Sequence, residues 1–236
     1  MAYALLAHTI QGSTDKNDFT TSAINTSGSD LLIAIQMADA IGTHPTDSAS
    51  NTSWTQGPDN NFFGTHCTLW FAWNATGSAS HTFTSNAGVN SSPALAILAF
   101  SGSKTSASPV DQTTSAEVNF GSSLSTGGIT PTAAGCLVVT GGVYVDTANA
   151  LSLTVLTLLD QELQLNGGHR GGGSGYQIQT TATSVNPAWS ESAANLGAMV
   201  LASFLPSAGG GGGGTYSLFD EANLQGNLIS MTGGFQ

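Results

Sequence analysis

The sequence predicts an all-β protein, an antiparallel β-sandwich of the jelly-roll kind, and three observations carry this. Short apolar runs recur between turns rich in Gly, Ser, Asn and Asp, no stretch keeps a 3.6-residue period, and the two strongest runs resemble each other. Ala94–Phe100 (Ala-Leu-Ala-Ile-Leu-Ala-Phe), closed by Ser101-Gly102, and Ala198–Phe204, closed by Pro206, have the same length and the same final Phe. Seven residues are too few for a globular helix, so each reads as a strand buried on both faces or in a sandwich core.

In chain order, Leu5–Ile10 and Phe19–Ile24 are short strand candidates separated by the polar turn Gly12–Asp18. Leu31–Met37 follows Ser27-Gly28-Ser29-Asp30 as the first long core run, and Asp39–Ser53 is a polar loop ending at Trp54. Asn60–Gly64 reads as another loop. Thr68–Trp73 and His81–Thr84, joined by Asn74-Ala75-Thr76-Gly77, read as a strand pair, and Ala94–Phe100 closes the unit.

The second half repeats the first at an offset near 105 residues. Phe19–Ile24 aligns with Leu124–Ile129, Leu31–Ile33 with Cys136–Val138, and Phe71–Trp73 with Tyr176–Ile178, while Phe100 aligns with Phe204 at 104. An internal duplication is therefore expected, with halves 1–103 and 104–206 in one sandwich. Val143–Val145 and Leu151–Leu159 lie between these echoes, Asn166–Gly175 reads as a glycine-rich surface loop, and Tyr176–Thr180 as a strand. Val185–Trp189 contains Pro187 and reads as an edge strand or turn.

Beyond Pro206 the composition changes. Residues 207–214 include an unbroken hexaglycine, a tether with maximal backbone freedom. Residues 215–236 are a C-terminal extended arm whose apolar side chains Tyr216, Leu218, Phe219, Leu224, Leu228, Ile229, Met231 and Phe235 are the expected partner-binding residues.

Charge excludes some functions. Of 236 residues only Lys16, Lys104 and Arg170 are basic, against a net charge of −11, so the chain has no phosphate-neutralising surface and no nucleic-acid partner is expected. No apolar run approaches the roughly 20 residues needed to span a bilayer, and no basic amphipathic stretch suits an anionic membrane. The first ten residues lack a cationic n-region and a long apolar core, so synthesis in the cytoplasm without Sec export is expected. Cys67 and Cys136 sit in apolar runs and read as buried free thiols, and four Asn-x-Ser/Thr sequons (Asn25, Asn51, Asn74, Asn90) are ordinary in so Ser/Thr-rich a chain.

No catalytic constellation emerges. The loop around Arg170 lacks the Gly-Lys-Ser/Thr ending of a phosphate loop, Ser101–Lys104 lacks the partner motifs of a Ser-x-x-Lys enzyme, and the five histidines are scattered. His66 and Cys67 are neighbours on a strand and point to opposite faces, which disfavours a shared zinc. No cofactor is expected; Asp15, Asp18, Asp39, Asp47 and Asp59 are the residues that would serve a structural calcium, without an Asp-x-Asp-x-Asp-Gly pattern. Among the aromatic residues, Trp54 and Trp73 are the candidates for stacking on a sugar, and Trp70 and Trp73 must face opposite sides of their strand.

The segments Asn25–Leu32, Asn51–Thr55, Leu98–Gly102, Pro109–Gln112, Ile129–Ala133, Val185–Ser190 and Ala202–Phe204 resemble a loosely defined group of β-rich proteins of tailed bacteriophages and bacteria. The resemblance spans about Ile24–Phe204, leaves out the arm, and carries over no catalytic residue. It implies a virion protein, and the expectation that follows is a non-enzymatic capsid decoration or cement protein, or a tail component. Its expected partners are copies of itself, as a trimer, and the major capsid protein, with the arm adding to a neighbouring sheet edge. The alternative reading is a carbohydrate-binding or adhesin module.

Overall fold

The computed structural model describes residues 2–145, 149–163 and 170–207. The first half forms β1 (Ala4–Gly12), β2 (Leu31–Ala38), β3 (Thr46–Asp47), β4 (Trp54–Phe62), β5 (Thr65–Trp73), β6 (Phe83–Thr84) and β7 (Ala94–Ser101). The second forms β8 (Val110–Ser125), β9 (Leu137–Tyr144), β10 (Ser152–Leu153), β11 (Thr157–Glu162), β12 (Gly171–Ile178) and β13 (Ala188–Phe204). Two antiparallel sheets result, ordered β1-β7-β2-β5-β4 and β8-β13-β9-β12-β11, with β10 also paired to β13 and β3 paired to β6. A jelly roll, in which successive strands change sheet, is not what this order describes: each sheet is contiguous in sequence.

The sandwich interior is formed by alternate residues of the central strands. Leu31, Ile33, Ile35, Met37, Leu69, Phe71, Leu98 and Phe100 of one sheet meet Leu137, Val139, Val143, Val200 and Phe204 of the other. The opposite faces of the central strands are also covered. Phe19, Ile24, Ala75 and Phe83 pack over Leu32, Ala34, Leu95, Ile97 and Ala99 on the outside of the first sheet. Leu151 and Trp189, and separately Ile129, Leu156 and Val185, do the same over Tyr144 and Met199 and over Val138 and Leu201 of the second. Covering both faces explains why these strands read as unbroken apolar runs rather than alternating ones.

The five long strands of the two sheets follow the same order, while β3, β6 and β10 have no counterparts. Leu31 lies between Phe100 and Trp73, and Leu137 lies between Phe204 and Ile178, which makes the offset of this strand 106 (137 − 31) rather than 105. The difference matters because a one-residue slip would put Cys136 on the face that Leu31 holds and turn the core set outward. The bulge repeats as well: β1 steps from Leu5 to Ala7 against Phe100 and Ala99, and β8 steps from Val110 to Gln112 against Phe204 and Ser203. Across the sandwich β1 lies on β11, β7 on β12, β2 on β9, β5 on β13 and β4 on β8, the arrangement of a two-fold axis running between β2 and β9.

Several local expectations are corrected. Phe19–Ile24 is not a strand but a covering segment, tied down by bridges from Thr20 to Thr84 and from Ile24 to His81. Asn60–Phe62 belongs to β4, and only Phe63 and Gly64 turn. β5 does not pair with the His81–Thr84 segment; it pairs with β2 and β4. Gly171–Gly175 is not surface loop but the buried part of β12. A Cβ on Gly172 would meet Met37 Sδ at 2.3 Å and Gly142 O at 2.6 Å, and one on Gly173 would meet Trp189 and Asp160 O at 2.9 Å, so neighbouring strands and the side chains that cross them leave room only for glycine. Trp189, expected on an edge or turn, is fully buried in β13, with Pro187 just before the strand.

Candidate functional site

Two places in the fold gather polar groups around a surface feature. The first is the root of the C-terminal arm. β7 ends in the turn Ser101–Ser103, where Asp30 accepts the backbone N–H groups of Gly102 and Ser103, each at 3.0 Å. Gly102 has φ +93, and a Cβ there would lie 2.3 Å from Ala2 O, so this turn admits only glycine. The end of β13 is latched onto it: Tyr3 donates its hydroxyl to Leu205 O at 2.7 Å, Pro206 bridges Ser103, and Ser207 N–H donates to Gly102 O at 2.8 Å. Leu205 N–H donates to Pro109 O at 2.7 Å, beside the start of β8. Burial pushes the Tyr3 hydroxyl well above its ordinary pKa, while its hydrogen bond with Ser103 opposes the rise, so the phenol stays a donor at any physiological pH. The arm residues Tyr216, Leu218, Phe219, Leu224, Leu228, Ile229, Met231 and Phe235 lie outside the described residues.

The second place is the cover of the first sheet. Asp47 of β3 and His81, next to β6, are joined at 2.9 Å through Nε2, and both side chains are fully buried. Thr26 Oγ1 sits 2.7 Å from His81 Nδ1, and Trp54 Nε1 donates to Asp47 Oδ2 at 3.0 Å. Asp47 Oδ1 also accepts from the backbone of Ala49 and Asn51 and from Asn51 Nδ2. Burial by itself raises the Asp47 pKa, but the hydrogen bonds from His81, Trp54 and Asn51 outweigh it and hold the carboxyl below its ordinary value. Beside this network opens a hollow of about 390 Å³ lined by His44, Thr46, Asp47, Ser50, Asn51 and Thr52.

Thr26, His81 and Asp47 stand in the order of a hydroxyl–imidazole–carboxylate relay. The hydroxyl is fully buried and bonded to Ser78 through both its O–H and its oxygen, so no substrate carbon can approach it. What the network does is pin β3 and β6 onto the sheet. It joins residues far apart in the chain, and neither His81 nor Asp47 stands in a sequence pattern that would have singled it out.

The aromatic candidates divide between faces. Trp54 is 8% exposed and belongs to the outer cluster under β3 and β6, with its indole N–H spent on Asp47. Trp73 packs against the sandwich interior, and Trp70 against the outer cluster, as their odd spacing requires. Trp54 and Trp73 therefore form no common platform. The loop aspartates are likewise dispersed: Asp15 bonds Ser13 and Asn17, Asp18 caps the backbone of Ala87 and Gly88, and Asp39 pairs with Arg170. Asp59 lies on β4, not in a loop, and pairs with His66 at 2.7 Å. Among the described residues no three His, Cys, Asp or Glu side chains come together as metal ligands. Cys67 and Cys136 are free and buried.

No protein-family model, no curated protein and no solved structure matches the chain.

Proposed function

We propose that the chain is a structural protein of a bacteriophage virion, a decoration or cement protein of the capsid or else a tail component, attached through residues 215–236. The observation that supports this reading is the root of the arm. The last strand is latched by Tyr3, Ser103 and Gly102 at one end of the sandwich, so the hexaglycine and the apolar segment behind it start from a fixed point. A body whose last strand is fixed in this way, followed in the sequence by six glycines and an apolar segment, is suited to reaching a neighbour while keeping its own fold intact. The partners proposed are copies of the chain and the major capsid protein, and the site of action is the virion.

A duplication that fused two sheet-forming units underlies this body. The matched strand order, the matched bulges at Leu6 and Asp111 and the two-fold packing of the sheets support it, because bulges are features retained within families rather than accidents of packing.

The test is co-sedimentation of the full chain, and of a chain ending at Pro206, with heads assembled from the major capsid protein of the same genome. Sedimentation of the full chain alone supports attachment through the arm. Equal behaviour of both removes the arm from the mechanism. The hollow beside Asp47 supports a second reading, a carbohydrate-binding or adhesin module, since Thr46, Ser50, Asn51 and Thr52 bring hydroxyls and an amide to its lining beside His44 and Asp47. Glycan-array binding that disappears in Asn51→Ala would favour it over the first.

A further inference from the structure

We propose that the outer edge of β8, Gln112–Val118, docks a second copy of this chain, edge to edge and antiparallel about Ser115. The inference rests on the assembly reading above and names a surface for it that does not involve the arm.

The backbone sets the edge. Gln179 N–H donates to Cys136 O, which fixes the hydrogen-bonding phase of β9 against β12. Carried through the registers of β9 with β13 and of β13 with β8, this phase turns Gln112, Thr114, Ala116 and Val118 toward β13. Gln112 N–H indeed points there, 3.1 Å from Ser203 Oγ. Thr113, Ser115 and Glu117 therefore turn their N–H and C=O groups outward, and among the described residues β8 pairs only with β13.

Among the described residues the other three edges are guarded and this one is not. β4 carries Pro58 inside a bulge. β11 has six residues broken by a bulge, and its Asp160 is held by His8 at 2.6 Å. β1 gives that His8, and its Gln11 receives Ser22 N–H from the covering segment. β8 runs in unbroken register from Gln112 to Val118 without Pro, Lys or Arg. Its ties to β4, Ser115 Oγ to Asp59 O and Glu117 to Asn60, use side chains and leave the backbone edge open.

The run is also complementary to itself. Register breaks follow Val110 and Val118, so the straight segment is symmetric about Ser115. A two-fold axis there sets Thr113 against Glu117, Thr114 against Ala116 and Gln112 against Val118. The one charge in the run then faces a threonine rather than another acid, which matters in a chain of net charge −11. The three outward residues of each copy supply about six backbone hydrogen bonds. Such a pair is isologous, so it joins copies in twos, in contrast to the trimer that the sequence suggests.

The experiment uses the full chain carrying Ser115→Cys or Thr113→Cys, treated with a short bismaleimide, while Cys67 and Cys136 stay buried. Ser115 meets its own copy across the axis and Thr113 does not, so S115C is expected to cross-link at least tenfold faster than T113C. In parallel, Ser115→Lys sets two like charges face to face, and light scattering is expected to show the wild-type dimer falling to monomer with an unchanged circular-dichroism spectrum. Ser115→Pro, whose missing N–H is one that faces outward, is the second variant and is expected to do the same. A monomeric wild type, or equal cross-linking of the two cysteines, overturns the inference. If truncation at Pro206 gives monomers while S115K remains a dimer, the edge is wrong and the arm reading survives. If S115K dissociates while head binding ignores the truncation, the edge stands and the arm reading fails.

Discussion

Ile35 and Gly141 hold the same ladder position in the two sheets, and they meet across the sandwich: a Cβ on Gly141 would lie 2.4 Å from Ile35 Cγ2. Ile35 stands between Leu69 and Ala96, and Gly141 between Ser174 and Val200. Near a two-fold axis a residue faces its own equivalent, and two branched side chains cannot share the space that one fills. The halves differ there because packing requires it.

Gly141→Ala is accordingly expected to destabilise the protein by about 1–3 kcal/mol through overpacking. Ile35→Val alone should cost about 0.5–1.5 kcal/mol, and the double variant less than the sum. Urea unfolding of the four proteins measures the coupling, and strict additivity would mean the two residues are not in contact.

On the outer face of the second sheet, Trp189 lies over Gly142, where a Cβ would come within 2.7 Å of the indole. Trp189 also donates its N–H to Thr140 Oγ1 at 3.0 Å. Trp189→Ala should cost about 3–5 kcal/mol. Gly142→Ala should be destabilising in the wild type and nearly neutral in the Trp189→Ala background, a reversal readable in thermal melts.

Asp47 titrates below its ordinary value when folded, so the folded state binds fewer protons than the unfolded one in acid. Its contribution is complete above the ordinary carboxylate range and is lost as pH falls through the lowered value. Asp47→Asn is expected to cost about 2–3 kcal/mol at neutral pH, because it removes charge-assisted bonds inside a buried network. The difference between wild type and variant should shrink below pH 4, and stability curves at several pH values measure it.

Burial pushes the Cys67 thiol far up, and burial raises Cys136 as well. Neither is a reactive thiolate in the folded protein. Iodoacetamide labelling at pH 8 is expected to be negligible in the native state and to rise along the unfolding curve; fast labelling of either residue without unfolding would contradict the buried placement.

The sequence alone determined the β class, the long core strands and the near-repeat. Ala94–Phe100 is apolar throughout, and Leu31–Met37 and Ala198–Phe204 are so but for Gln36 and Ser203, because covering segments bury both of their faces, and that burial is written into consecutive residues. The tertiary structure decided what depends on residues far apart. β8 did not stand out in the sequence because its apolar residues, Val110, Ala116, Val118, Phe120 and Leu124, are interrupted at alternate positions by Gln112, Thr114 and Ser122. β12 reads as loop because the bulk that fills its glycine surfaces, Met37 on one side and Trp189 on the other, is supplied by other strands. The Asp47–His81 network spans 34 residues and forms only when the cover folds down. Which backbone groups of β8 face away from β13 was likewise undecided until the register fixed it, since side chains encode the face of a strand and only its neighbours set the edge.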